Sequence, residues 1–224
     1  MQTDKNNLTG SMSKNNIELI GRIVSDFVFS HDIFGEGFLN FEIEVPRLSN
    51  TVDILPVTIS ERILDRDRFF IGSDVFISGQ VRSYNNYIEQ ENRNRLVLTV
   101  FVRDIELICD DYAKNPNDVY LNGYICKPPI YRTTPFGREI TDMLLAVNRS
   151  YNKSDYIPCI AWGRNARYAS CLKVGDNVGI WGRMQSRVYQ KKVGDDTFLE
   201  KTAYEVSISK IEQEDDYCDY PNET

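Results

Sequence analysis

Large aromatic side chains occupy the outer face of a strand-like segment in the second half of the chain. The core face of this segment falls on Ile157, Cys159 and Ala161, which leaves Tyr156 and Trp162 pointing away from it. Alternation with a period of two is the pattern of a half-buried strand. Packing of Trp162 beneath a loop is the structural alternative, because large aromatic residues are usually buried. Rings left exposed on such a strand could instead stack on a planar ligand.

Basic residues are interleaved with further aromatic ones nearby. A second strand-like segment carries Trp181 and Arg183 on its outer face, and the same mixture continues at Arg187, Tyr189, Arg149, Tyr151 and Lys153. Ring faces stack on bases while arginine and lysine follow the phosphates, a combination typical of surfaces that bind single strands. A merely solvated basic face would not need the rings. The pattern therefore predicts a single-stranded nucleic-acid surface in the second half.

The elements that position these side chains are written twice in the chain. Five positions recur at an offset of 102 residues: Gly21, Gly35, Val45, Arg47 and Pro56 become Gly123, Gly137, Val147, Arg149 and Pro158. Gly72, Gly79 and Ser83 then recur at an offset of 103. A solenoid repeat needs only about 20–50 residues, so a period this long indicates two complete domains.

Each copy has the same order of alternating segments. In the first copy these are residues 17–23, 41–45, 55–59, 75–81 and 96–105. A helical stretch follows the third segment in both copies, at 61–70 in the first and at 165–173 in the second. Five strands with one helix between the third and fourth is the OB-fold order, and this helix position argues against an SH3-like barrel. The predicted fold is all-β, with two tandem five-stranded OB-fold barrels, each with one short helix between the third and fourth strands. The predicted boundaries are a flexible polar arm at 1–14, a first domain at 15–110, a linker at 111–118, a second domain at 119–212 and an acidic tail at 213–224.

Charge is divided unevenly between the copies, although the net charge is −7. Residues 1–110 hold 11 basic and 17 acidic side chains, residues 111–210 hold 15 and 10, and the last 14 residues hold 6 acidic ones. This asymmetry indicates different tasks for the two halves. No secretory signal and no membrane-length apolar run is present, and five scattered cysteines without a CxxC are typical of reduced thiols. We therefore expect a cytoplasmic protein.

The second half resembles the bacterial single-stranded DNA-binding protein family. The resemblance covers residues 118–212 and rests on VYLNGYICKPPIYRTTPFGREITDMLLAVNRSY, DYIPCIAWGRNARYASCLKVGDNVGIWGRMQSRVY and TAYEVSISKIE, in the family's order. It implies an OB-fold, sequence-independent binding of single-stranded DNA and an assembly of four OB-folds. It also implies stacking by Tyr151, Tyr156, Trp162 and Tyr189, and backbone contacts by Arg149, Lys153, Arg164, Arg183, Arg187 and, less directly, Arg132.

The first half departs from this pattern, because Ser49, Ile54 and Ser60 stand at three of the four stacking positions. We therefore expect it to be mainly an assembly module. Two OB-folds per chain reach the family's four as a homodimer, and the outward-facing Trp181 with Phe76 on the equivalent face predicts the interface. The short tail lacks the family's hydrophobic tip, which makes recruitment of proteins through it doubtful.

Two other classes of protein are alternatives to this prediction. A metal-dependent enzyme would need clustered ligands, but His31 is the single histidine and the acidic pairs at 110–111, 195–196 and 215–216 lie at the linker, a hairpin turn and the tail. No phosphate-binding GxxxxGK[ST] loop is present. We expect no enzyme activity, cofactor, metal or membrane partner. A replication or primosome accessory protein whose OB-folds mainly bind protein partners remains the alternative.

Overall fold

The computed structural model describes residues 14–47, 49, 51–88, 93–108, 115–192 and 198–214. The strands of the first half are β1 (Asn15–Ile23), β2 (Val28–Ile33), β3 (Glu36–Pro46), β4 (Val52–Ser60), β5 (Asp74–Ile88) and β6 (Arg93–Leu107). The second half contains β7 (Asn117–Ile125), β8 (Ile130–Thr133), β9 (Glu139–Arg149), β10 (Lys153–Trp162), α1 (Arg164–Ala169), β11 (Asn177–Lys192) and β12 (Phe198–Gln213). Most of the arm and linker, nearly all of the tail, Cys109, Cys218 and the three acidic pairs lie outside the described residues.

Each half closes into a barrel of the predicted OB type. Neighbouring strands follow the order β3-β4-β6-β5-β1 in the first barrel and β9-β10-β12-β11-β7 in the second. Pairing of the last strand with the first, β1 with β3 and β7 with β9, closes each barrel. The one parallel contact in each described barrel joins β4 to β6 and β10 to β12. The predicted core face is confirmed, since Ile157, Cys159 and Ala161 are buried against the inside of the second barrel.

Each described half has the predicted five-stranded barrel and one further strand outside it. The additional strands, β2 and β8, form hairpins with β3 and β9 at the two ends of the sheet. Every residue of β2 and of β8 is exposed. A strand without a buried face carries no apolar alternation, so the sequence pattern did not indicate these two.

The prediction of a helix in both copies was wrong for the first half. In the second half α1 lies between β10 and β11, buries Ala166 and Ala169, and is held by a 2.7 Å hydrogen bond from Thr141 Oγ1 to the Ala166 carbonyl. The corresponding segment of the first half forms turns, where the Asp65 carboxylate accepts the Asp67 N–H at 3.0 Å. Such side-chain bonds to nearby backbone compete with a helix. No helix within the described ranges is long and apolar enough to cross a membrane.

The two barrels are joined edge to edge by antiparallel pairing of β1 with β7. Ile17 lies opposite Val119, its own equivalent in the repeat, so an approximate two-fold axis passes through this pair. The asparagines on either side obey the same symmetry: Asn15 Nδ2 donates to the Val81 carbonyl and Asn117 Nδ2 to the Met184 carbonyl, both at 2.7 Å. The twelve described strands therefore form one continuous sheet.

Candidate nucleic-acid interface

The four predicted stacking residues lie on β10, β11 and the turn between β9 and β10. Tyr156 is 45% exposed on the outer face of β10, and Trp162 is half-buried at the end of that strand. Tyr151 is 94% exposed, at a turn where it and Asn152 both have positive φ angles of 63° and 54°. Tyr189 is 37% exposed near the outer end of β11. The barrel thus presents all four rings at least partly to solvent.

An open groove beside Trp162 adds aromatic residues that the sequence pattern did not indicate. Tyr131 lines this groove together with Arg138 and Arg167, and Phe136 at the tip of the β8–β9 hairpin is 92% exposed. Tyr131 lies on β8, which the apolar pattern did not predict, and Phe136 and Arg138 lie in the hairpin that follows it. The aromatic sequence YRTTPF with Gly137 directly after it was the available signal, because this glycine makes the turn with a φ of 76°.

Hydrogen bonds hold one wall of the groove in place. The Tyr131 hydroxyl donates to Glu139 at 2.6 Å, and Arg167 Nε donates to the same carboxylate at 2.9 Å. The bond to the carboxylate raises the pKa of Tyr131, and the two donors lower the pKa of Glu139. At neutral pH the groove therefore holds a neutral phenol and an ion pair.

Several predicted cations surround these rings. Arg164 is exposed at the first position of α1, two residues after Trp162, and Lys153 is exposed at the start of β10. The Arg187 guanidinium lies 5.7 Å from the centre of the Tyr189 ring, and its Nε lies 3.6 Å from Glu205. The last of them, Arg132, donates to the exposed Asp142 at 2.6 Å, a hydrogen bond that raises the Arg132 pKa.

Two of the residues predicted to contact DNA, Arg183 and Arg149, also form ion pairs at the junction between the barrels. Arg183 Nη1 lies 3.3 Å from Asp53 of the first barrel, an aspartate that is fully buried. Asp53 also accepts Arg47 Nε at 2.7 Å and the Ser186 N–H at 2.7 Å. Burial lowers the pKa of Arg183. Arg183 also donates from Nη2 to Gln185 at 2.9 Å, so its guanidinium joins the junction cluster to β11.

The two-fold partner of this cluster surrounds Asp155, which is 1% exposed. Its carboxylate accepts the Ser83 N–H of the first barrel at 2.8 Å and lies 3.7 Å from Arg149 Nη1 and 3.6 Å from Arg82 Nη1. We call Asp53 and Asp155 the junction aspartates. Each buried carboxylate thus ties its own barrel to the backbone of the other.

Side chains of the first barrel pack on one another at the equivalent face. The His31 ring stacks on Phe38 at 5.0 Å between centres, Phe38 packs on Phe101 at 5.6 Å, and the Arg82 guanidinium lies 5.4 Å above Phe101. The buried Ser60, at the position of Trp162, donates to Glu36. This stack lies beside the position that Trp162 occupies in the second barrel, whereas Phe29 and Phe34, the equivalents of Tyr131 and Phe136, are exposed as in the second barrel.

The predicted assembly residues share another face of the sheet. Trp181 is half-buried, because Tyr120 packs at 4.9 Å between ring centres and Lys210 Nζ lies 4.3 Å from the tryptophan ring. Burial and a 3.1 Å hydrogen bond to Glu214 raise the pKa of Tyr120 to about 12. Phe76 is half-buried and lies opposite Ile20 of β1. Strands β5, β1, β7 and β11 are neighbours, so these side chains lie on one surface, the central sheet face.

Two joined OB-fold barrels, one with exposed rings among cations, define the class of protein. Residues 116–213 match the model of the Single-strand binding protein family, which confirms the resemblance of the second half. The chain is 37% identical over 90 residues to Single-stranded DNA-binding protein A of Bacillus subtilis, and 38% identical over 85 residues to the Single-stranded DNA-binding protein of Clostridium tetani. These matches cover 37% and 35% of the chain, and 52% and 59% of the two relatives.

The whole two-barrel arrangement also has a counterpart among solved structures. The crystal structure of the wild-type single-stranded DNA binding protein from Thermus aquaticus superposes with a TM-score of 0.70 at 20% identity. The superposition covers 90% of this chain and 93% of that one. The similarity confirms the tandem OB-fold.

Proposed function

We propose that the second barrel binds single-stranded DNA without sequence preference, in replication, recombination or repair. The observation that carries this proposal is the row of outward-facing rings on β10 and its neighbours. Bases stack on such rings whatever their sequence, because every base has a π-face. The names of the relatives in Bacillus subtilis and Clostridium tetani support the same ligand.

Stacking is worth about 1–3 kcal/mol per base, so Tyr151, Tyr156, Trp162 and Tyr189 together supply roughly 4–12 kcal/mol before ordering costs. Phosphates are neutralised by exposed cations, of which Arg164 and Lys153 are the best placed. Arg187 and Arg132 join them by exchanging an acidic partner for phosphate, since a solvent-exposed ion pair is worth only about 0–1 kcal/mol. Arg149 and Arg183 contribute positive potential while remaining bound to the junction aspartates.

The chain assembles as a homodimer through the central sheet face in this proposal. Trp181, Tyr120, Ile20 and Phe76 give this face an apolar centre, and aromatic residues are enriched in interface cores. The rings that stack on DNA lie on other strands and turns. A dimer of this kind would bring four OB-folds together and leave the DNA surface open.

The test compares Trp162→Ala with Ser60→Ala at the equivalent position of the first barrel. Binding to a labelled oligo-dT is measured by fluorescence anisotropy, and circular dichroism checks that both variants fold. Loss of one stacking partner costs about 1–3 kcal/mol of binding free energy, so Trp162→Ala should weaken binding at least about fivefold. Ser60→Ala leaves the affinity unchanged. Equal losses from the two variants, or no loss from Trp162→Ala, would contradict the proposal.

A further inference from the structure

A groove runs between the two barrels and is lined by both of them. The first barrel contributes residues 95–98 of β6, and the second contributes Pro158, Arg187 and Tyr189 of β11, and residues 201–205 of β12. Its volume is about 530 Å³. We call it the junction groove. Pro158 lies two residues from Tyr156 on the outer face of β10, so the groove directly continues the row of stacking rings.

The lining combines cations with flat apolar surface. Arg95 of the first barrel, with Arg187 and Lys201 of the second, supplies positive charge, while Tyr189 and Tyr204 supply rings. The lining also includes the buried Glu205, whose carboxylate accepts Gln185 Nε2 at 2.8 Å and lies 3.6 Å from Arg187 Nε. Arg95 is exposed, and its Nη2 donates to the Thr202 carbonyl at 3.1 Å, which holds the side chain at the groove. This bond uses one of the five N–H donors of a guanidinium. The chemistry suits a sugar-phosphate backbone with an adjoining base.

The charges that line the two neighbouring grooves of the first barrel differ in sign. Arg95 is the charged residue that the first barrel contributes to the junction groove. The next groove along the first barrel is lined by Asp26 and Glu42 around Tyr84 and Val28. Carboxylates repel phosphate, so a strand that crosses the junction groove would not continue into this acidic groove.

The junction groove is preformed. The junction aspartates bind the backbone N–H of Ser83 and of Ser186 across the barrels, and the Ser83 hydroxyl oxygen accepts the Tyr156 N–H at 2.7 Å. A bound strand therefore does not have to bring the two walls together.

We propose that single-stranded DNA held by the second barrel continues into the junction groove, where Arg95 of the first barrel binds its phosphate. The inference rests on the proposed function. It gives the first barrel a contact to DNA that does not use the stack of His31, Phe38 and Phe101.

The test uses the full chain and two lengths of oligo-dT. An OB-fold covers about 4–16 nucleotides, so an oligomer of about 6 nucleotides probes the rings of the second barrel and one of about 20 also reaches the groove. Arg95→Ala is expected to weaken binding of the longer oligomer about tenfold, as for loss of a charged hydrogen bond. The slope of log affinity against log salt concentration for that oligomer becomes shallower by about 0.7, which corresponds to the loss of one phosphate contact. Binding of the short oligomer stays unchanged.

Two variants serve as controls. Arg22→Ala removes another exposed arginine of the first barrel, one that is paired with Asp74 on β5, and is expected to leave both affinities as they are. Arg95→Lys retains the charge and restores most of the affinity for the longer oligomer. If Arg95→Ala matches Arg22→Ala on the longer oligomer, the groove does not bind DNA. Failure of the unmodified protein to bind the short oligomer would instead refute the proposed function, and with it this inference.

Discussion

Removal of a junction aspartate is expected to destabilise the folded chain far more than removal of an exposed one. Asp53 is fully buried and accepts hydrogen bonds from Arg47, Arg183 and both the N–H and the hydroxyl of Ser186. In Asp53→Ala the Ser186 N–H loses its acceptor, at a cost of about 1–3 kcal/mol. The two arginines also lose their counter-charge.

Removing one member of a buried ion pair costs about 3–5 kcal/mol in typical cases. The side chains of Arg47 and Arg183 are 27% and 36% exposed, so water compensates part of this loss. We therefore expect the free energy of unfolding to fall by about 3 kcal/mol, the low end of that range. Asp53→Asn keeps an acceptor for the Ser186 N–H and should lose less.

Urea unfolding of the DNA-free protein measures this difference. The matched control is Asp74→Ala, since the Asp74 side chain is 50% exposed and paired with Arg22. Such an exposed pair contributes about 0–1 kcal/mol. The double variant Asp53→Ala, Asp155→Ala should separate the unfolding of the two barrels into two transitions. If Asp53→Ala is no more harmful than Asp74→Ala, the carboxylate does not hold the junction.

Three other outcomes are expected. The affinity for oligo-dT should fall as the salt concentration rises. In Arg164→Ala the slope of log affinity against log salt concentration should become shallower by about 0.7. An unchanged slope would mean that Arg164 does not contact the DNA backbone. Light scattering should give the unmodified protein a mass of twice the 25.9 kDa of one chain, and Trp181→Glu should shift this mass towards that of one chain while short-oligomer binding persists. An unmodified protein that is monomeric would reject the dimer. The pKa of Tyr120 is raised to about 12, so the folded state holds the phenol proton more tightly than the unfolded state does. The stability that this proton contributes is complete below the unfolded pKa of about 10 and is lost as pH rises to about 12. The urea stability of the unmodified protein should therefore fall more steeply over that interval than that of Tyr120→Phe, and parallel curves would contradict this.

Local alternation predicted much of the fold because burial imposes a period of two. Leu55, Val57 and Ile59 identified the core face of β4, and the repeat transferred this assignment correctly to β10. Strands β2 and β8 have no buried face and left no such signal. The helix prediction failed in the first half because Asp65 bonds the backbone locally and favours a turn.

The candidate site was predictable where a single strand decides which way a side chain points. Tyr156 and Trp162 follow from the alternation of β10 alone. The partners of Arg183 and Arg149 could not be read in this way, because Arg183 pairs with an aspartate 130 residues away in sequence. The signal that existed was the recurrence of the Arg47 and Asp53 spacing in Arg149 and Asp155.

Pairing of β1 with β7 has a consequence for how the two copies can differ. In a symmetric dimer of separate chains, association depends on protein concentration, and every substitution appears on both sides of the axis. Here one chain supplies both edges, so their effective concentration is set by the connecting segment and does not fall on dilution. A substitution also changes only one side. The chain can therefore have Ser60 and the stack of His31, Phe38 and Phe101 in one barrel while the other has Trp162 at the corresponding place, and every molecule carries one of each.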